Sequence, residues 1–269
     1  MQDGPGKMET DGYSFHLFII FVFHDNKPME KKIVIIPTYN EKENIRQIIQ
    51  AVFALEGDYH ILVIDDGSPD GTADLVKGLT EPFSGRLFLL ERSGKQGLGT
   101  AYITGFKWCL ERDYDYIFEM DADFSHNPED LPRLCQACRD GADLAIGSRY
   151  CDGISVVNWP IGRIIMSYYA SAYVRTILRM RIFDCTAGFK CYTRKVLEAI
   201  DLDDVRMKGY GFQIEMKYTA WRLGFRLVEV PIIFVNRKAG TSKMSGGIFS
   251  EALTGVIRLR FRKFRRKSS

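Results

Sequence analysis

The chain has 269 residues, 46% of them apolar and 26% charged, with a formal net charge of +3. That length holds one large core or two small ones, and the composition excludes a disordered or fibrous chain. The six cysteines show no paired metal-ligand spacing, because Cys135-x-x-Cys138 stands alone inside a helical pattern, so a zinc site is not expected and reduced thiols are.

Residues 1–28 read as unrelated to the rest of the chain, a disordered extension or an upstream start, with Met29 opening a natural beginning. Their one apolar run, Phe15 to Phe23, is far short of the roughly 20 residues of a membrane span. It also lacks a basic leader and a small-residue cleavage site. Ile33 to Ile36 is wholly apolar, as expected of a parallel strand covered on both faces. Pro37-Thr38-Tyr39-Asn40-Glu41 breaks it and leads into a helix with Ile45, Ile48, Ile49, Val52 and Phe53 on one side. Ile61 to Ile64 is a second strand, ending in the turn-rich Asp65-Asp66-Gly67-Ser68-Pro69-Asp70-Gly71-Thr72, where Ser68 or Asp70 can cap a helix. Arg86 to Leu90 is a third strand, and a glycine loop at 94–99 opens the next helix. Tyr116 to Met120 is a fourth strand, followed by a helix over about 128–139 and a strand from Asp143 to Ile146.

Beyond Gly147-Ser148-Arg149 the pattern turns mixed. A long helix is predicted over Arg163 to Arg179, a strand over Gly188 to Tyr192, a helix over Gln213 to Leu223, and two short strands flank Pro231. Residues 237–247 read as a mobile loop. The last stretch, 248–269, reads as a basic amphipathic helix with Phe249, Leu253, Val256, Ile257, Phe261 and Phe264 on one side. Residues 258–269 carry seven Arg or Lys and no acid. Such a helix suits an anionic membrane surface; a helix packed on the core and a nucleic-acid patch are the alternatives, and no nucleic-acid motif supports the last. Strands alternating with helices predict one α/β domain over 29–247 with a mostly parallel sheet, its ligand lying across the carboxyl ends of the strands.

Three polar clusters, at 37–41, 65–72 and 121–127, each follow a strand and should meet in one cleft. In the third, Asp121 and Asp123 are spaced i, i+2, which puts both carboxylates on one side of an extended chain. Two close like charges call for a cation between them, and Mg²⁺ or Mn²⁺ fits oxygen ligands that also bridge to phosphates. A polar turn capping the helix near Pro128 is the alternative reading.

Taken together these clusters resemble the family 2 glycosyltransferases of the GT-A fold. Within them, Asp123-Phe124-Ser125-His126-Asn127-Pro128, Gly147-Ser148-Arg149-Tyr150, Gly209-Tyr210-Gly211-Phe212-Gln213-Ile214-Glu215 and Arg237-x5-Lys243 resemble the dolichyl- or polyprenyl-phosphate mannose synthases, over about residues 31–257. The resemblance implies that Pro37, Tyr39, Glu41, Ile64 and Asp66 hold the guanosine of GDP-mannose. It implies that Asp121, Ala122 and Asp123 meet the diphosphate and metal, with Ser125 where some relatives carry a glutamine ligand. Arg149, Arg163, Ser167 and Arg237 match positions that grip the acceptor phosphate, and Lys243 one at the donor phosphates. Glu215 falls where other members place a base, and is expected to be structural or acceptor-positioning. The implied partners are GDP-mannose, dolichyl or polyprenyl phosphate, a membrane surface met peripherally at its cytoplasmic face, and small membrane-anchoring subunits. Rival readings are another sugar nucleotide such as UDP-glucose, and a catalytically silent scaffold; a dehydrogenase is disfavoured because no Gly-x-Gly-x-x-Gly follows the first strand.

Overall fold

The computed structural model describes Met1 and residues 30–207, 209–236 and 246–267, the side chains of 246–253 excepted. The expectations for 1–28 fall outside these residues apart from Met1, as do Arg237, Lys243 and most of the 237–247 loop.

Aliphatic runs without a polar partner residue make strands that must be covered on both faces. β1 (Lys32–Thr38), β2 (Tyr59–Asp65), β3 (Leu87–Glu91) and β4 (Tyr116–Glu119) are such strands. They are linked by α1 (Ile45–Phe53), α2 (Thr72–Thr80) and α3 (Leu98–Leu110). Next come α4 (Leu131–Arg139), entered through a short 3-10 turn at Pro128–Asp130, then β5 (Leu144–Ser148) and β6 (Val156–Val157). The long α5 (Ile161–Leu178) precedes β7 (Lys190–Thr193), α6 (Arg194–Ala199) and α7 (Gly209–Arg222). β8 (Leu227–Pro231), β9 (Phe234–Val235) and α8 (Gly246–Phe261) complete the described chain.

The sheet order is β3-β2-β1-β4-β7-β5-β8, with β6 and β9 forming a separate parallel pair. All pairs in the large sheet are parallel except those of β7, which runs against both neighbours. Two apolar layers cover the faces, one around Ile35, Ile64 and Phe106, the other around Val34, Ile48 and Leu134. Gly105 of α3 sets the first layer's thickness. A Cβ there would stand 2.9 Å from side-chain carbons of Ile35 and Ile64, so the helix lies closer to the sheet than a side chain permits.

The reversal of β7 has a polar consequence. It places Lys190 opposite Glu119, and the two form an ion pair of 3.0 Å with neither side chain exposed. Tyr192 donates to the same carboxylate at 2.8 Å, and Lys190 also reaches Gln213 of α7. The other Glu119 oxygen, Oε2, is buried with no hydrogen-bond partner among the described residues, so the satisfaction that a buried pair calls for is incomplete here.

The C-terminal helix differs from the sequence expectation of a free amphipathic face. Val256 and Leu259 of α8 are buried and Phe264, three residues beyond it, packs edge-on against Tyr218, so these apolar positions go to the core, while Ile257 and Phe261 stay outside. Its basic residues are partly spent too: Arg262 pairs with Glu215 and Asp204, and Arg266 donates to the Leu223 carbonyl. The large exposed apolar row lies elsewhere. Ile161, Ile165 and Tyr169, spaced i, i+4 and i+8 on α5, are 75%, 50% and 66% exposed, and fall on one helix side.

Candidate functional site

Each cluster picked out in the sequence leaves the carboxyl end of a parallel strand, so the sheet brings them to one edge. At the end of β1, Pro37 lies beside Ile64 of β2 in register. The two loops beyond are knitted together. Asp65 accepts from the Thr38 hydroxyl (2.8 Å) and from the Ser68 amide (2.8 Å) and hydroxyl (2.6 Å). Ser68 in turn accepts from the Asn40 amide at 2.9 Å, while the Glu41 amide donates to Thr72 at 3.1 Å. Asp65 is therefore the internal fastening of the loop, and Asp66 is the acid left beside the cleft. Asp66 pairs at 2.6 Å with Arg92, which follows β3 and also donates to Thr100. Arg92 went unmarked in the sequence, where only its position after a strand could have drawn notice. Tyr39 carries Lys95 over its ring at 5.1 Å, a cation on the same side of the site. Of the proposed helix caps, Asp70 accepts from the Thr72 amide at 3.0 Å, with Gly71 as the cap residue itself.

The acidic segment follows β4. Asp121 is partly exposed, Ala122 and Asp123 are buried, and the turn is closed by Phe124 in a left-handed conformation (φ 58°). Two hydrogen bonds within the segment help to hold it. The Ser125 amide donates to Asp123 at 3.0 Å, and the Asp121 amide donates to Nδ1 of His126 at 3.2 Å. The phenol of Tyr102 is buried beneath these acids. Burial first, then the charges of Asp121, Glu119 and Asp123, push its pKa well above the ordinary value. No cluster of three His, Cys, Asp or Glu side chains suited to a metal occurs among the described residues. An ion held by Asp121 and Asp123 would have to draw its other ligands from outside these acidic side chains. Ser125 supports that fit, since its hydroxyl oxygen is buried with no hydrogen-bond partner among the described residues. Such an orphan needs an explanation, and a hard cation or its water would supply one.

Basic residues gather around a group of aromatic rings. Arg149 follows β5 and is almost wholly buried. Its Nε and Nη2 make a two-pronged contact with Asp184 at 2.6 and 2.7 Å, and Nη2 also donates to Thr186. Its guanidinium lies 5.2 to 5.5 Å from the ring centres of Tyr150, Trp159 and Phe234. Burial works to lower the pKa of Arg149, yet the charge and hydrogen bonds of Asp184 hold it above the ordinary value. Arg163 of α5 stacks on Trp159 at 3.9 Å and donates to Asn236 at 2.9 Å. Ser167, one turn on, accepts from the Tyr150 hydroxyl at 2.7 Å. Arg149, Arg163 and Ser167 thus converge on Tyr150 and Trp159, whereas Arg237 and Lys243 lie outside the described residues. Asp184, Trp159, Phe234 and Asn236 are the parts of this cluster that sequence reading missed. Lone aromatics and a lone Asn in mixed segments carry no periodic signal.

His126 joins the two halves. It is 3% exposed, stacks on Phe189 (4.9 Å, 11°) and meets Phe234 edge-on at 5.4 Å. Burial lowers its pKa to about 4, with Arg149 adding to that effect and Asp123, Asp184 and Glu119 opposing it. Glu215 lies away from this chemistry. It is 1% exposed, accepts from the Arg206 and Met207 amides at 3.0 and 2.7 Å, and pairs with Arg262, a fastening between α7, the 204–207 loop and the tail.

The chain is similar to several known proteins. The model of glycosyl transferase family 2 matches residues 33–201. A polyprenol monophosphomannose synthase from Mycolicibacterium smegmatis is 50% identical over 230 residues, covering 86% of this chain and 87% of the relative. An undecaprenyl-phosphate mannosyltransferase from Micrococcus luteus is 49% identical, over 84% and 92% respectively. Among solved structures, a glucosyl-3-phosphoglycerate synthase from Mycobacterium tuberculosis in complex with Mn²⁺, UDP and phosphoglyceric acid aligns with a TM-score of 0.65. It covers 87% of this chain and 79% of that one at 17% identity, a likeness of fold alone.

Proposed function

The chain belongs to glycosyl transferase family 2, and we propose that it transfers mannose from GDP-mannose to a dolichyl or other polyprenyl phosphate with inversion. The observation that carries this reading is the meeting, on either side of His126, of an acidic pair fit for a metal diphosphate and a basic cluster fit for a second anion. Relatives of half-identical sequence are named for mannosyl transfer to polyprenyl phosphate acceptors.

In this reading an oxygen of the lipid monophosphate attacks C1 of the mannose, the bond from C1 to the diphosphate oxygen breaks, and GDP departs with the electron pair. A phosphate monoester has its second pKa near 6, so the attacking oxygen needs no strong base at neutral pH. Positioning and charge stabilisation then supply most of the acceleration. Asp121 and Asp123, with Ser125 alongside, would hold Mg²⁺ or Mn²⁺, which when bound neutralises charge on a leaving diphosphate. Asp66, Glu41 and Tyr39 bound the nucleoside side, with Arg92 fixing the Asp66 carboxylate. Arg163 and Ser167 take the acceptor phosphate, joined by Arg237, while Lys243 meets the donor. Arg149, clamped and charge-compensated by Asp184, contributes a rigid wall more than a movable grip.

The acceptor's hydrocarbon tail requires an apolar approach. Arg163 and Ser167 face the Trp159 and Tyr150 side of α5, while Ile161, Ile165 and Tyr169 occupy the opposite, exposed side. An outward apolar row on the same helix as the phosphate-binding residues is suited to the headgroup boundary of a bilayer. We therefore assign peripheral membrane contact, at the cytoplasmic face, to α5 rather than to α8. No helix among the described residues is long and apolar enough to cross a membrane.

The direct test is incubation of the purified chain with labelled GDP-mannose, Mg²⁺ and a short polyprenyl phosphate, with UDP-glucose in a parallel tube. Mannosyl-lipid and free GDP are expected. Product only from UDP-glucose would reassign the donor, and no product from either would favour the scaffold reading.

A further inference from the structure

The acidic turn is held from within by a residue that no part of the proposed reaction uses. His126 lies five residues beyond Asp121, its Nδ1 accepts the Asp121 amide at 3.2 Å, and that bond closes the turn carrying both carboxylates. The turn needs a fastening. Phe124 occupies a left-handed conformation that an aromatic residue rarely adopts, and β4 ends at Glu119, so strand pairing does not extend to the Asp121 backbone.

The imidazole is well suited to that task. It lies sandwiched against Phe189 of the sheet segment and edge-on to Phe234 of β9, so its plane is fixed by packing from two elements. An amide can donate to Nδ1 only if that nitrogen carries a lone pair, which requires the neutral ring with its proton on Nε2. The dry surroundings favour the same form.

We infer that His126 is a positioning residue for the metal: its Nδ1, acting as a hydrogen-bond acceptor, orients the Asp121 backbone and thereby the carboxylate that faces the ion. The inference rests on the reading of Asp121 and Asp123 as metal ligands. It separates two roles that a buried histidine can play, packing between aromatic rings and accepting a particular amide. Supporting groups one bond removed from a metal ligand are typically worth roughly 10- to 100-fold in metal affinity.

Three full-length variants test it. His126→Asn keeps an acceptor where Nδ1 sits, with less ring packing. His126→Leu fills the space between the phenylalanines but cannot accept, and His126→Ala does neither. Mn²⁺ binding in the presence of excess GDP is read by the loss of the free-ion electron paramagnetic resonance signal, and thermal unfolding is read beside it. Wild type and His126→Asn are expected to bind within about threefold of each other, and His126→Leu roughly 10- to 100-fold more weakly, even if its melting temperature equals or exceeds that of His126→Asn. Should the alanine variant fail to fold, the Asn–Leu comparison decides alone. Equal Mn²⁺ affinity in Asn and Leu variants, or losses that follow melting temperature instead of acceptor chemistry, would overturn the assignment. If the wild type itself takes up no Mn²⁺ with GDP, the metal reading fails first and this one with it; weak binding confined to the Leu and Ala variants cannot arise that way.

Discussion

The Asp121 and Asp123 carboxylates differ in setting, and the difference decides how each should respond to change. Asp123 is buried and accepts the Ser125 amide, so it builds the turn besides serving as a proposed ligand; Asp121 is more open. Asp121→Asn is expected to cut turnover by roughly a hundredfold or more, the scale of several kcal/mol of lost charge stabilisation, with an unchanged melting temperature. Asp123→Asn should show the same loss together with a lower melting temperature. Steady-state rates measured beside calorimetry check both. Lys217 offers a second test at this scale. It is fully buried, donates to the Ala187 carbonyl at 2.6 Å, and has its pKa lowered to about 7, first by burial and then by Lys190, against the pull of Asp184, Cys185 and Glu119. The unfolded chain keeps that proton until near pH 10.4. Between those values the unfolded state binds more protons, so stability rises with pH. The unfolding free energy of wild type relative to Lys217→Met should therefore climb from pH 7 to 8.5 and stay flat below about pH 6. Urea melts at four pH values would show it, and a flat difference throughout would contradict the shift.

Elements explain which parts of the site could be read in advance. Parallel strands with wholly apolar runs announce themselves, and the polar loops after them must gather at their carboxyl ends. The placement of Asp66, Asp121 and Arg149 on one edge was thus legible from Ile33 to Ile36, Ile61 to Ile64 and the later strands. The sequence did not disclose that β7 is reversed, because four residues of mixed polarity carry no direction. Nor did it reveal the β6–β9 pair, whose value lies in Phe234 within it and Trp159 beside it. Trp159 supports Arg163 by stacking at 3.9 Å, a contact worth about 0.5 to 2 kcal/mol. Trp159→Ala should accordingly raise the acceptor KM by roughly three- to thirtyfold while leaving GDP affinity unchanged, and Trp159→Phe should recover part of the loss. Initial rates at varied lipid phosphate, with GDP binding by calorimetry, would distinguish this from a general loosening of the fold, which would weaken both.

At the scale of the molecule, the structure adds a second surface suited to the membrane. Periodicity and basic residues pointed to 248–269, yet a helical stripe records only that one side is apolar, not what covers it. Here Val256 of the stripe is buried and Phe264 packs on Tyr218, Ile257 and Phe261 stay outside, the side chains of Phe249 and Leu253 lie outside the described residues, and α5 leaves a stripe of its own exposed. Replacing Ile165 and Tyr169 together by Glu should therefore abolish co-sedimentation with anionic vesicles and sharply reduce transfer to long-chain acceptors, yet spare a water-soluble short-chain one. Vesicle binding that survives this pair of changes would return the role to another surface. The fastening of Glu215 by Arg262 has a practical corollary for anyone shortening this chain. A deletion that removes Arg262 strands a carboxylate at 1% exposure and unpins the 204–207 loop whose amides it receives. Progressive trimming from the carboxyl terminus would thus report first on whether the protein holds together, and a loss of lipid affinity in such a series would not by itself identify a missing anchor.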